Sequence, residues 1–184
     1  MGAVKFRVLL DSEKDKEIFR DIIIDENDNF ESLFQTIMKS FNFQGEEMAS
    51  FYMSNDNWDK GHEISLVDIN YGDEAIDEKA SLMSQATISD FIEVEDQKII
   101  LVYDFMRMWI FLLELVERVD RNIKSPEVAL SVGMAPPEDS KNPTFEEDDN
   151  QYFDEEELDE EDEFGFNEYE DGYDDTDYSN YDDY

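Results

Sequence analysis

The chain has 184 residues, of which 51 are acidic and 14 basic, giving a net charge of -37, and 40% are hydrophobic. That imbalance argues against nucleic acid or an anionic membrane as direct ligands, since both repel it, and makes basic proteins or basic patches on them the natural partners. The absence of cysteine removes disulfides, thiol nucleophiles and thiolate metal sites, and fits a reducing compartment.

Val4 to Asp11 alternates, with Phe6, Val8 and Leu10 on one side, the period-2 pattern of a strand with one buried face. Glu17 to Asp25 does likewise, setting Ile18, Ile22 and Ile24 against Glu17, Asp21 and Asp25. The polar stretch between them predicts a hairpin turn. Asp28 followed by Glu31 resembles a capping box, and Phe30, Leu33, Phe34, Ile37, Met38 and Phe41 then recur at helical spacing. This predicts a helix ending near Asn42 whose apolar stripe packs on a sheet.

Met48 to Ser54 reads as a strand, and Asn55 to Gly61 as a turn-forming segment. A calcium loop fails there, because placing Gly61 at the sixth position leaves Trp58, Lys60 and Val67 where oxygen ligands are required. Glu63 to Asp68 suits a short strand, Asn70 to Ala80 an acidic loop, and Thr87 to Phe91 a short turn or helical element. Lys98 to Phe105 contains the run Ile99-Ile100-Leu101-Val102-Tyr103, the composition of a strand buried on both faces. Trp109 to Val119 alternates again, and the short connection predicts that these two strands form an antiparallel pair at the sheet centre. A last strand is predicted over Val128 to Val132. The expected fold is therefore α+β, a mostly antiparallel sheet with one main N-terminal helix packed on it, over residues 1–135.

Pro136, Pro137 and Pro143 mark residues 136–143 as an extended linker. Residues 144–184 then form an acidic, aromatic tail with 21 acidic and no basic residues from Phe145 onward, interleaved with rings that include Tyr152, Phe153, Phe164, Phe166, Tyr169 and Tyr173. Such charge density opposes compaction, so the tail is expected to be disordered. Rings between carboxylates can stack on Arg and Lys while the charge supplies long-range attraction.

Parts of the first 140 or so residues resemble the plasmid pRiA4b ORF-three-like family, often labelled passenger TnpR proteins. The resemblance rests on Phe41-Asn42-Phe43, on Phe51-Tyr52, on Val102-Tyr103-Asp104-Phe105 followed by Trp109, and on Gly133-Met134-Ala135-Pro136-Pro137-Glu138-Asp139. It implies an α+β domain without an established biochemical activity. Family members commonly carry a Gly-Asp-Asp-like turn after the Tyr-Asp-Phe stretch and a His two residues beyond the Trp, where this chain has Met106-Arg107-Met108 and Phe111. A serine recombinase, which the TnpR label suggests, needs an arginine cluster and a basic DNA-binding module that this acidic composition does not supply.

His62 is the only histidine, so a zinc site would need carboxylates for its other ligands, which proteins rarely use. A Ser-His-Asp set assembled from Ser50 or Ser54, His62 and Asp56 lacks a Gly-x-Ser-x-Gly elbow. Asp104, Arg107 and Trp109 cluster at the predicted hairpin connection, as a structural ion pair and packed indole or as an interaction site. Pro136-Pro137-Glu138-Asp139 suits either a polyproline recognition element or a terminus laid over the domain.

No secretory signal is read in Met1 to Phe6, Phe6 stands where a myristoylation motif wants Ser or Thr, and the run Trp109 to Leu113 falls far short of the roughly 20 residues that span a bilayer. A cytoplasmic location is expected. The reading is a non-enzymatic protein-interaction module without catalytic, cofactor or metal residues, whose tail binds basic protein surfaces. Its alternatives are a nucleic-acid mimic or chaperone for a DNA- or RNA-binding protein, and a carboxylate enzyme using a divalent ion.

Overall fold

A computed structural model describes residues 2–12, 17–69 and 79–144. The tail positions therefore lie outside the described residues, as do 13–16 of the first turn and 70–78 of the acidic loop. The elements run in chain order as β1 (Ala3–Leu10), β2 (Phe19–Asp25), α1 (Phe30–Ser40), β3 (Ala49–Ser54), β4 (Lys60–Ser65), β5 (Ser81–Leu82), α2 (Ile88–Phe91), β6 (Lys98–Tyr103), β7 (Trp109–Val119) and β8 (Glu127–Val132). The strands form one sheet in the order β5-β4-β3-β6-β7-β1-β2-β8. It is mostly antiparallel, and only the β4–β5 pair is parallel. The fold is α+β, and β6 and β7 occupy the centre as the alternation predicts.

Register places one apolar side chain beside the next across the strands. Phe51 faces Leu101, Leu101 faces Phe111, Leu10 faces Phe111, and Phe6 faces both Leu115 and Ile22. On this surface α1 lays Phe30, Leu33, Phe34, Ile37 and Met38, all buried. Rings lock the contact edge to face, Phe30 on Phe51 at 5.2 Å and Phe41 on Phe111 at 5.0 Å between centroids.

The ends of α1 are set by short polar side chains. Asn29, rather than Asp28, is the N-cap: its extended backbone lets the side chain accept from the Ser32 N–H at 2.9 Å. Asp28 is occupied elsewhere, its carboxylate accepting from the Asn29 N–H and its carbonyl from the Ile88 N–H. At the other end Asn42 is left-handed, φ 59°. There the Phe43 N–H reaches the Met38 carbonyl and the Asn42 N–H the Lys39 carbonyl. This is the paired-bond stop that Asn tolerates better than a branched residue. It turns Phe43 back into the core against Trp109, with ring centroids 4.9 Å apart.

Three strands depart from the sequence reading. β4 begins at Lys60 rather than Glu63, because the Asn55 side chain accepts from the Asn57 and Asp59 N–H groups and closes the turn within five residues. β5 has two residues, too few to leave an alternation. β8 lies at the sheet edge, one residue longer than expected at its start.

Arg20 breaks the pattern of β2. It shares the face of Ile18, Ile22 and Ile24 and is 5% exposed. Its Nε donates to the Ser40 carbonyl at 3.0 Å, and Nη1 donates to the Phe19 and Val132 carbonyls at 2.8 Å each, while the guanidinium covers the Phe41 ring. Burial pulls its pKa below the ordinary arginine value. The charge is retained because the Ser40 carbonyl belongs to the last turn of α1, where a cation satisfies orphan acceptors and complements the helix dipole. Arg20→Leu keeps the volume but strips three carbonyls of a donor, and is expected to destabilise by about 2–4 kcal/mol. Urea unfolding checks this, and an unchanged midpoint would show that solvent replaces the guanidinium at no cost.

Candidate functional site

The sequence cluster at the β6–β7 connection is a built structure. Asp104 is 4% exposed and left-handed, φ 54°, a conformation Asp tolerates by bonding its own backbone. Its Oδ1 accepts from the Met106 and Arg107 N–H groups at 3.1 Å each, and its Oδ2 accepts from Arg107 Nη1 at 3.0 Å. Its own N–H donates to the Met48 carbonyl, tying the turn to the start of β3. Every oxygen of the carboxylate is therefore engaged.

Residues 136–144 are laid against this turn. Pro137 is extended, φ -55° and ψ 142°, and leads into a single 3-10 turn, Glu138–Ser140. Trp109 Nε1 donates to the Glu138 carbonyl at 3.0 Å, and Arg107 Nε donates to the Lys141 carbonyl at 3.1 Å. Lys141 answers by donating to the Met108 carbonyl at 2.9 Å while its ammonium covers the Trp109 ring, 4.7 Å from the centroid. The Thr144 hydroxyl donates to the Met106 carbonyl at 3.1 Å. Asp104, Arg107, Trp109, Pro136 and Pro137 thus belong to one neighbourhood.

Tyr103 and Glu138 complete it; the sequence placed Tyr103 in a buried strand and Glu138 in the Pro136–Asp139 segment, without pairing the two. The buried Tyr103 hydroxyl donates to Glu138 Oε1, and Oε2 accepts from the Gln44 N–H at 2.7 Å. Burial, reinforced by the neighbouring carboxylate, pushes the Tyr103 phenol up to about 12. Glu138 also stood within the Gly133–Asp139 stretch that carried the family resemblance. Beside the strap a hollow of about 380 Å³ is bordered by Glu46, Glu47, Glu138 and Asp139, with Arg107 on its wall. A rim of carboxylates attracts a basic group and offers no activated nucleophile.

His62 is placed far along the sheet, on β4, where Nε2 lies 2.8 Å from the Ser81 hydroxyl and the ring stacks on Phe91. Ser50 and Ser54 are on β3, and Ser54 Oγ donates to the Asp59 carbonyl at 2.9 Å. Among the described residues no three His, Asp or Glu side chains converge as a metal site. Tyr152, Phe153, Phe164, Phe166, Tyr169 and Tyr173 lie outside the described residues.

Comparison with known proteins identifies the family. The family model described as plasmid pRiA4b ORF-3-like protein matches residues 2–181. The chain belongs to that family. The match continues through the acidic segment instead of stopping near residue 140, so the pRiA4b ORF-3-like region is longer than the quoted motifs alone indicate. A crystal structure of a protein of unknown function from Methanosarcina mazei Go1 aligns at a TM-score of 0.63 and 21% identity, covering 77% of this chain and 75% of that one. It supports the fold. No curated protein matches the chain significantly. Among the described residues no helix is long and apolar enough to cross a membrane.

The Tyr103 pKa gives a pH test. A phenol that holds its proton more tightly folded than unfolded contributes fully below pH 10 and loses that contribution as pH rises from 10 toward about 12. Stability is therefore expected to fall across that window. Tyr103→Phe should flatten the fall and cost about 1 kcal/mol at neutral pH, measured by denaturant titration across the pH series.

Proposed function

We propose that this pRiA4b ORF-3-like protein is a non-enzymatic interaction module that binds a basic protein surface through its acidic, aromatic C-terminal segment. The observation that carries the reading is the segment's composition: 21 carboxylates and no cation after Thr144, spaced by aromatic rings. Carboxylates steer a basic partner over a distance set by the Debye length, and rings then stack on guanidinium and ammonium groups. Thr144, the last residue before that segment, is bonded to the β6–β7 turn, so the polyanion starts from a fixed point on the sheet. The carboxylate rim of Glu46, Glu47, Glu138 and Asp139 supports the same choice of partner.

The test compares two baits, the full chain and a chain ending at Thr144, which keeps the strap intact. Basic proteins are expected to be captured by the full chain at about 50 mM salt and largely lost at about 200 mM or on truncation, as release of counterions and charge screening require. A third bait, with the aromatic residues after Thr144 changed to leucine, keeps every charge and should retain less of the same proteins. Identical capture by all three at both salt levels would remove the segment from the binding function.

A further inference from the structure

We infer that the free edge of β8 is a docking site for an extended acidic peptide of a partner protein, which adds to the sheet as one further strand. The site lies on the folded domain and is independent of the function proposed above. The sheet ends in two edges of unequal kind. At one, β5 contributes two residues in a parallel pair; at the other, β8 runs for six, paired with β2 on one side and with no described strand on the other. A free edge presents unpaired N–H and C=O groups that template a further strand. Lysine, proline or an inward charge ordinarily blunts such an edge, and residues 128–132, Val-Ala-Leu-Ser-Val, carry none of these. The one shift of register, at Asp21 and Ile22, leaves Leu130, Ser131 and Val132 in regular pairing. Val128 and Leu130 are 42% and 45% exposed.

Charge selects the occupant. The chain carries -37, yet around this edge the sign reverses. From 121 to 132 the charged residues are Arg121, Lys124 and Glu127, and Glu127 is already paired with Arg121. On the α1 side of the edge a hollow of about 600 Å³ is bounded by Ser32, Thr36, Lys39, Ser125, Pro126 and Val128, and Lys39 is its single charged member. Lys39 and Lys124 are exposed, and neither makes a hydrogen bond or ion pair among the described residues. A short peptide feels these two lysines, because charges beyond a Debye length of about 8–10 Å are screened. A second copy of the chain would instead bring its whole negative charge against the first.

Register says how the peptide lies. Leu130 and Val132 pair with Asp21 and Phe19 on the sheet face away from α1, whereas Ser131 pairs with Arg20, and Val128 with Ile22, on the face that α1 covers. Side chains of an added strand alternate in the same way. Carboxylates at one parity then point toward the hollow and Lys39, and apolar side chains at the other lie beside Leu130 and Val132. The preferred peptide therefore alternates acidic and β-branched residues.

The full-length protein is titrated with acetyl-Glu-Val-Glu-Val-Glu-amide, following backbone amide resonances. Saturable shifts of β8 amides are expected, with slowed hydrogen exchange along that strand. Two further peptides separate the causes. Acetyl-Glu-Pro-Glu-Pro-Glu-amide keeps the charge but lacks the valine N–H donors, and acetyl-Lys-Val-Lys-Val-Lys-amide keeps the alternation with opposite charge. Each is expected to act on β8 at least about tenfold more weakly, as is the first peptide on the double variant Lys39→Gln, Lys124→Gln. Both lysines are exposed and unpaired, so the variant should keep the natural amide spectrum away from its two sites.

Unmoved β8 amides would overturn the inference. Equal binding of the Glu-Pro peptide would show that charge alone holds the ligand, and a double variant that binds like the natural chain would remove the lysines; either result overturns it. Peptide-free dimers in light scattering, with β8 amides already protected, would assign the edge to a second copy and overturn it as well.

Discussion

Everything in this fold depends on one mismatch of area: a single eleven-residue helix must cover one face of an eight-stranded sheet. At about 4.8 Å between neighbouring strands the sheet is roughly 34 Å wide, whereas a helix with its side chains is about 10–12 Å across. The helix takes the middle, and its aromatics extend its reach, Phe30 toward β3 and Phe41 toward β7. The remaining apolar surface must be closed by segments with little regular structure. On the β4 side this is α2 with Met83, Ala86, Ile88 and Ile92; near the β6–β7 turn it is Phe43 with Ala135.

The charge imbalance shapes how they are made. A chain of net charge -37 has few cations to spend, and several of the described ones are placed where a carboxylate or carbonyl is otherwise stranded. Arg7 forks onto Asp21 with two bonds of 2.8 Å, Arg107 holds Asp104, and Arg20 serves three carbonyls without any carboxylate partner. Bidentate and buried pairs of this kind contribute more than exposed ones, where screening leaves little. Lys141 does two things at once, capping Met108 and covering Trp109, which is why a segment rich in proline and acid can lie flat on the sheet end.

Much of this was legible in the sequence, for reasons that differ by element. Alternation gave β1, β2 and β7, because a one-sided strand writes its burial at period two, and the unbroken Ile99–Tyr103 run gave a strand buried on both faces. The stripe from Phe30 to Phe41 gave α1. Pattern gave no account of a polar residue that faces inward: Arg20 has the parity of Ile18, Ile22 and Ile24, and only the folded arrangement brings Ser40 and Val132 to it. It failed again at β5, two residues long and paired in parallel, and at Asp28, a plausible cap displaced by Asn29. The cluster Asp104, Arg107 and Trp109 was legible because its members are close in sequence. Its partners Glu138 and Lys141 were not, since about thirty residues separate them from the turn and no local spacing records such a bond.

Asp104 shows why a conspicuous cluster need not be a ligand site. It is nearly inaccessible and stands just past the end of β6. The Asp104 carboxylate accepts three N–H groups from its own turn, so any ligand there must first break bonds that already exist, and the net gain is small. Charged residues near a turn draw attention because they are chemically loud, but saturated polar groups build structure.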